Sequence, residues 1–375
     1  MFIDGDHSYE GVKTDFEQYA PLVSKGGIIA FHDIAKHPET WNVAVCNYWE
    51  EIKTAYESSR VYRKSRARLG RHWSIGKIEI MLSIIIVNYN TFDLTCKCIE
   101  SVLKYTALHD YEIILVDNDS SECPPQLFKE RFPHIQLIVS PLNVGFAKGN
   151  NLGIAHARGD YILLLNSDIE LIEDAITPLL HYMQQNPAVG VVSPMLVYPD
   201  GRIQQVAGRF PGLRYELTEL LRLHKLMGPQ SLLGWHFDHL SLVDADWVWG
   251  AFFLMRREVL DIFPNKQLPD DFFMYFEDVQ WCYHIKKAGF RIVYNPVARA
   301  VHHVSASSGA SAIAEEKLHA SLKNEYIFWT KEKGACYARL LMGLRALKYL
   351  SLRKPAFRKI ALVYAKVFLK GLPAV

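Results

Sequence analysis

The chain has 375 residues, more than one average domain, and 50% hydrophobic with 22% charged content is the profile of a folded globular protein, not of a disordered or fibrous one. A formal net charge of +2 is too small to suggest nucleic acid as a partner. The six cysteines lack a paired C-x-x-C framework and read as reduced thiols of a cytosolic protein, and no apolar run is long enough for a membrane-spanning helix.

The first 55 or so residues read as strand, helix, strand: a short FID strand, an amphipathic stretch through Val12, Phe16, Tyr19 and Leu22, then Gly26-Gly27 and the apolar IIAF run. The strand ends carry Asp4 and His32-Asp33, where α/β sheets place ligands. The basic stretch RVYRKSRARLGRH, from Arg60 to His72, is expected to be a linker.

From Ile80 the pattern restarts with MLSIIIVNYN, a strand ending in Asn88-Tyr89-Asn90, followed by a helix with Leu94, Cys98, Val102 and Leu103 at helical spacing. YEIILVDNDS, QLIVS and YILLLNSD follow, each an apolar strand ending in polar residues, with helical segments between them. Such alternation predicts a mostly parallel, doubly wound sheet, in which ligands bind beyond the carboxyl ends of the strands. Asn88, Asp117 and Asp168 all fall there. Asn166-Ser167-Asp168 alone has the composition of an ordinary turn; the repeated placement is what points to a site.

Beyond Glu332 there is no acidic residue, while Lys and Arg are interleaved with Leu, Ile, Phe, Tyr and Val. That pattern suits basic amphipathic helices docking on an anionic membrane surface; the plain alternative is helices whose apolar side packs on their own domain and whose lysines are solvated. The expected divisions are residues 1–58, a linker over 59–79, a main α/β domain over 80–317 and a basic helical tail over 318–375.

Four stretches occur in fixed order: SIIIVNYNT (83–91), ILVDNDSS (114–121), NVGFAKGNNLG (143–153) and LLLNSD (163–168). Together they resemble the nucleotide-sugar half of family 2 glycosyltransferases with the GT-A fold. SPMLVYPDGRIQQVAGR (193–209), DWVWGAFFLMRREVL (246–260) and the stretch from Asp270 to Gly309 resemble the acceptor half of the rhamnosyltransferase-like branch. The resemblance covers roughly residues 80–330.

The resemblance implies an inverting, metal-dependent transfer of a sugar, at family level rhamnose, from a nucleotide-sugar donor to a hydroxyl of a surface glycan or lipid-linked glycan. Loss of a nucleotide diphosphate develops negative charge on the leaving group, which Mg²⁺ or Mn²⁺ can neutralise, and one or two carboxylates plus phosphate oxygens suffice to hold such an ion. Asp168 is then the metal ligand of a relaxed D-x-D motif, with Asn166 in its first position and His302 completing the site. Asp117 takes the nucleobase, Asn88 and Asn90 line base and ribose, and Asn118, Asn143, Gly145, Asn151, Trp249 and Gly250 complete the donor pocket. Asp278 is the general base and Glu277 its neighbour, in an E-D-x-D pattern whose last acid is replaced by Gln280. Each residue has a plain structural reading beside this one: an Asx turn for Asp117, a helix N-terminal acidic pair for Glu277-Asp278, core packing for Trp249 and His302.

FIDGDHSYEGVKTDFEQYAPLVSKGGIIAFHD (2–33) resembles the later half of a class I S-adenosylmethionine-dependent methyltransferase, without that fold's early strand and Gly-rich loop. No methyl transfer is expected from this chain alone; the fragment reads as a fusion enzyme that has lost its front, or as a start placed too far downstream. The rivals to sugar transfer are a methyltransferase module with a passenger domain and a non-catalytic glycan- or membrane-binding scaffold. The expected setting is cytoplasmic, peripheral at the inner face of the cell membrane.

Overall fold

The computed structural model describes residues 2–3, 5–6, 8–23, 28–32, 44–52, 60–63, 72–77, 81–108, 110–304, 312–352 and 355–372. The chain divides into two compact units, Met1–Met81 and Leu82–Val375.

The first unit contains β1 (Phe2–Ile3), α1 (Tyr9–Tyr19), β2 (Ile28–His32), α2 (Val45–Ile52), β3 (Arg60–Arg63) and β4 (His72–Lys77), with sheet order β1-β2-β4-β3. Ser8 starts α1 by accepting the Gly11 N–H at 3.1 Å, which satisfies one of the amides a helix start leaves free. Val12 faces a small core with Ile3, Ile29, Phe31, Val45 and Tyr48, whereas Tyr19 and Leu22, expected on the same face, are exposed. The stretch expected as a linker carries two strands instead: β4 lies antiparallel to β2, and β3 pairs with β4. Backbone pairing with the edge of β2 overrides the local signal of a basic, polar run. Asp4, Gly26-Gly27 and Asp33 lie outside the described residues.

The second unit runs through β5 (Leu82–Asn88), α3 (Phe92–Tyr105), β6 (Tyr111–Asp117), α4 (Gln126–Arg131), β7 (Gln136–Val139), α5 (Phe146–Ile154), β8 (Tyr161–Asn166), β9 (Ile169–Leu171) and α6 (Thr177–Gln185). Next come β10 (Val189–Val197), β11 (Ala207–Gly208), α7 (Leu213–Leu220), α8 (His224–Met227), β12 (Val243–Ala245), β13 (Trp247–Val248) and β14 (Phe252–Arg256). α9 (Glu277–Lys287), β15 (Arg291–His302), α10 (Ala312–Lys333), α11 (Ala335–Ser351) and α12 (Pro355–Lys370) complete it.

The main sheet has the order β12-β15-β10-β14-β8-β5-β6-β7, with β9 on β15. The parallel, doubly wound expectation holds for β7, β6, β5 and β8. Beyond β8 the sheet is mixed, because β14 runs antiparallel between β8 and β10. Ile84, Ile85 and Ile86 of β5 and Leu163 and Leu164 of β8 are fully buried, as strands covered on both faces require. The register pairs Asn88 with Asp117 and Val87 with Asn166, so three polar strand ends stand side by side.

The three C-terminal helices cover a second cluster in which Phe276 and Val279 meet Leu322, Phe328, Trp329, Ala338, Leu341, Met342, Tyr364 and Val367. Each large buried side chain there contributes about 1.5–3 kcal/mol relative to exposure. Two of the tail's cations are internal. Arg345 donates from Nε to Glu216 of α7 at 2.7 Å and holds Glu325 of α10 with its other two nitrogens. Lys348 reaches Glu216 at 2.6 Å and Glu219 at 2.7 Å. Helix packing thus turns part of the tail's charge inward, where buried carboxylates compensate it.

Candidate active site

At the strand ends the polar side chains hold one another. Asn88, fully buried, donates to Asp117 Oδ2 at 2.7 Å and to Ser120 Oγ at 2.9 Å, while its Oδ1 accepts from Thr91 and Thr95. Asp117 Oδ1 accepts the Ser120 N–H at 3.1 Å, an Asx turn. Asn90, in left-handed backbone with φ 52°, accepts the N–H groups of Ser121 and Glu122. Asn118 donates to Asn143 Oδ1 at 2.9 Å and accepts the Val144 N–H at 3.0 Å. Gly145 opens α5 with φ 84°, and a Cβ there would stand 2.3 Å from the carbonyl oxygen of Phe273, so glycine is needed for conformation and for space. Asn151 does not join them: its amide grips the backbone N–H and C=O of Leu268 at 3.0 and 2.8 Å.

Asn166, Trp249, Gly250, Ala251, Glu277, Asp278 and His302 line one cavity of ≈ 650 Å³. His302 is buried; its Nδ1 lies 2.8 Å from Gln204 Oε1, and its Nε2 lies 3.3 Å from Asp168 Oδ1. A proton on Nδ1, donated to Gln204, leaves the Nε2 lone pair free to ligate a cation. Asn166 Oδ1 is buried and has no hydrogen-bond partner among the described residues, an acceptor left open beside that pair. A carboxylate, a neutral imidazole and an orphan amide oxygen suit Mn²⁺ or Mg²⁺ when phosphate oxygens supply the remaining ligands. Among the described residues no three His, Cys, Asp or Glu side chains form a self-sufficient metal site.

Asp278 stands in the first turn of α9. Its Oδ1 accepts the Val279 N–H at 2.8 Å and its Oδ2 the Gly250 N–H at 3.2 Å. Burial pushes its pKa upward, with those N–H groups partly opposing the shift. Glu277 is raised further, by burial first and by the Asp278 charge second, and its Oε2 has no hydrogen-bond partner among the described residues. Both carboxyls are thus raised, Glu277 the more, and the pair retains a proton above the ordinary carboxylate range. The turn that presents them is strained: Tyr275 and Phe276 have φ 73° and 78°. Asn324 of α10 holds that turn, donating to the carbonyl oxygens of Met274 at 3.0 Å and Tyr275 at 2.8 Å. Gln280 is bonded to Asp271.

The expected residues thus split. Asn166, Trp249, Gly250, Glu277, Asp278 and His302 converge on the cavity, with Asp168 touching His302. Asn88, Asn90, Asp117, Asn118 and Asn143 form the hydrogen-bonded floor of the strand ends and do not line it. Trp249 is half-buried and stands edge-on to His302 with ring centroids 6.1 Å apart. Gln204, Asn324 and the tail residues Lys317, Ser321 and Glu325 that line the cavity escape sequence reasoning. Gln204 lies inside a quoted motif; the tail residues reach the cavity only through the packing of α10.

Residues 83–263 match the family model described as "Glycosyl transferase family 2", and residues 1–34 match one described as "Methyltransferase domain". The chain is 27% identical over 280 residues to an N-acetylglucosaminyl-diphospho-decaprenol L-rhamnosyltransferase of Mycobacterium tuberculosis, covering 67% of this chain and 88% of that protein. It is 26% identical over 234 residues to rhamnosyltransferase WbbL of Escherichia coli, covering 60% of this chain and 83% of the relative. An uncharacterized protein, y4gI, of Sinorhizobium fredii is 28% identical over 254 residues, 66% of this chain, and the match spans 27% of that longer protein.

Proposed function

The chain belongs to glycosyltransferase family 2 through residues 83–263, and on that premise we propose that it moves a sugar from a nucleotide-sugar donor to a hydroxyl of a glycan or lipid-linked glycan, with inversion and with a divalent cation. The observation that carries this reading is the half-buried Asp278 carboxylate in the same cavity as Asn166 and His302. Asp278 accepts the proton of the attacking hydroxyl; its two N–H contacts hold the carboxylate oriented while burial raises its basicity. Direct attack opposite the leaving diphosphate inverts the anomeric centre. Asp168 and His302, with Asn166 lining the same cavity as His302, would hold the cation, and Gln204 would fix the His302 tautomer. When bound, the cation neutralises charge developing on the departing diphosphate. Rhamnose is the proposed sugar, on the strength of the two relatives named as rhamnosyltransferases.

The reading includes peripheral contact with the cytoplasmic membrane face through the tail. Leu340, Leu347, Leu362 and Leu369 are exposed beside exposed Arg339, Arg358, Lys359, Lys366 and Lys370, a mixture suited to an anionic interface. Among the described residues no helix is long and apolar enough to cross a membrane.

Calorimetry with a panel of nucleotide sugars, with and without Mn²⁺, tests the core of the proposal. Metal-dependent binding of one donor is expected and names its sugar. Binding of none would overturn transferase activity in favour of a scaffold.

A further inference from the structure

We infer that the protein has a second binding site, for the phosphate of an anionic phospholipid headgroup, between α8 and the C-terminal end of α11. This deepens the membrane reading above and rests on it.

A cavity of ≈ 530 Å³ opens there, away from Asp278, with Arg222, His224, Lys225, His236 and Lys348 in its lining. Glu219 is the one carboxylate among the lining residues, and it is already engaged by Lys348 at 2.7 Å and approached by His236 Nε2 at 3.5 Å. Arg222 and Lys225 are exposed, and neither has an ion-pair partner among the described residues. His224 Nδ1 is buried without a hydrogen-bond partner among the described residues, and its ring stands 4.4 Å from that of His236. Cations without counter-charges around a concave site fit a phosphate. Arg222 also sits in left-handed backbone, φ 56°, which a residue bearing a Cβ rarely adopts and which shapes the turn from α7 into α8.

The rim selects between a dissolved phosphate and a lipid. Leu221 is 62% exposed, Leu226 87% and Leu350 52%, each within two residues of a lining residue, and Leu352 lines the cavity itself. A soluble anion gains nothing from leucines held in water. A bilayer surface takes the phosphate into the cationic pocket and buries the leucines in its apolar edge. Charge complementarity extends to the tail, which has no acidic residue after Glu332.

The test is flotation of the full chain with phosphatidylglycerol-rich phosphatidylcholine vesicles and with pure phosphatidylcholine vesicles. Wild type should bind the former only. Arg222→Gln/Lys225→Gln should weaken binding roughly 25-fold, since each cation near an anionic surface is worth about fivefold. Donor binding by calorimetry should be unchanged in this variant, which shows that it folds. Leu226→Ser should weaken binding about three- to tenfold. If wild type fails to bind anionic vesicles, the membrane reading and this site fall together. If the double variant binds as wild type while Arg358→Gln/Lys366→Gln loses affinity, the tail reading stands and this site is overturned. If inorganic phosphate binds in calorimetry, with loss in the double variant, yet Leu226→Ser floats as wild type, the site takes free phosphate and the lipid assignment is overturned.

Discussion

The carboxyl ends of β5 and β6 and the N-terminus of α9 are both rich in polar residues, and they treat them in opposite ways. At the strand ends Asn88, Asp117 and Ser120 are tied to one another and Asn118 to Asn143, so hydrogen-bonded networks fix a shape. At α9 a buried Glu277 stands beside a half-buried Asp278, one Glu277 oxygen has no partner among the described residues, and the backbone of Tyr275 and Phe276 is strained. Such left-handed residues cost of order 1–3 kcal/mol each and persist where surrounding contacts over-determine them. Such networks suit recognition of a rigid ligand; an under-bonded acid pair keeps a proton in play.

Replacing Asp278 is the strongest way to break the comparison. Asp278→Asn should lower turnover roughly 10²–10⁴-fold, the usual worth of a general base, with donor affinity unchanged; single-turnover kinetics beside calorimetry checks both, and wild-type turnover would reassign the base. His302→Ala should remove metal-dependent turnover, while Gln204→Leu, which frees the imidazole to rotate, should cost about 10–100-fold in metal affinity. Titration of Mn²⁺ against donor binding separates these two.

Asn324→Ala releases the turn before α9 and should lower kcat about tenfold with little change in KM for the donor, because one misplaced base is felt in the transition state. Equal losses in donor affinity would show that Asn324 merely supports the fold. Glu277→Gln sharpens the contrast from the other side. Glu277 is the more strongly raised of the pair, so its amide isostere should retain turnover within a few-fold. Asp278 must be ionised to accept a proton, and its pKa is raised, so activity should be full at high pH. It should fall on acidification at a pH above the ordinary carboxylate range. The Gln variant should keep that acid limb; its displacement to lower pH would mean Glu277 carries charge. The smallest effect on chemistry is expected at Asn151→Ala, which orphans the backbone of Leu268 and should cost about 1–3 kcal/mol of stability, read by denaturant unfolding, with donor affinity intact.

The tail extends the comparison to charge. Arg345 satisfies Glu216 and Glu325 inside the protein, whereas Arg358 and Lys366 face solvent. Arg345→Met should destabilise by about 3–5 kcal/mol, because buried Glu325 loses its cation and buried Glu216 keeps only Lys348. Truncation after Glu332 is a poor probe of membrane contact, since it uncovers the cluster around Trp329 and Leu341.

Much of this was legible in the chain itself. Apolar runs ending in Asn88, Asp117 and Asn166-Ser167-Asp168 mark strands and their ligand-facing ends, because strand formation depends on local periodicity and the ends of parallel strands necessarily face one side. The ordered motifs resemble family 2 glycosyltransferases, whose model matches residues 83–263, and they single out Asp278 as a candidate base. Only the tertiary structure decided that β14 enters antiparallel, that a basic run completes the first sheet and that Asn151 serves a backbone. It also decided that Gln204 orients His302, that α10 walls the cavity and clamps the turn before Asp278, and that Arg345 turns inward. Each of those depends on contacts between residues far apart in sequence, where long-range packing and desolvation outweigh the local preferences a sequence displays.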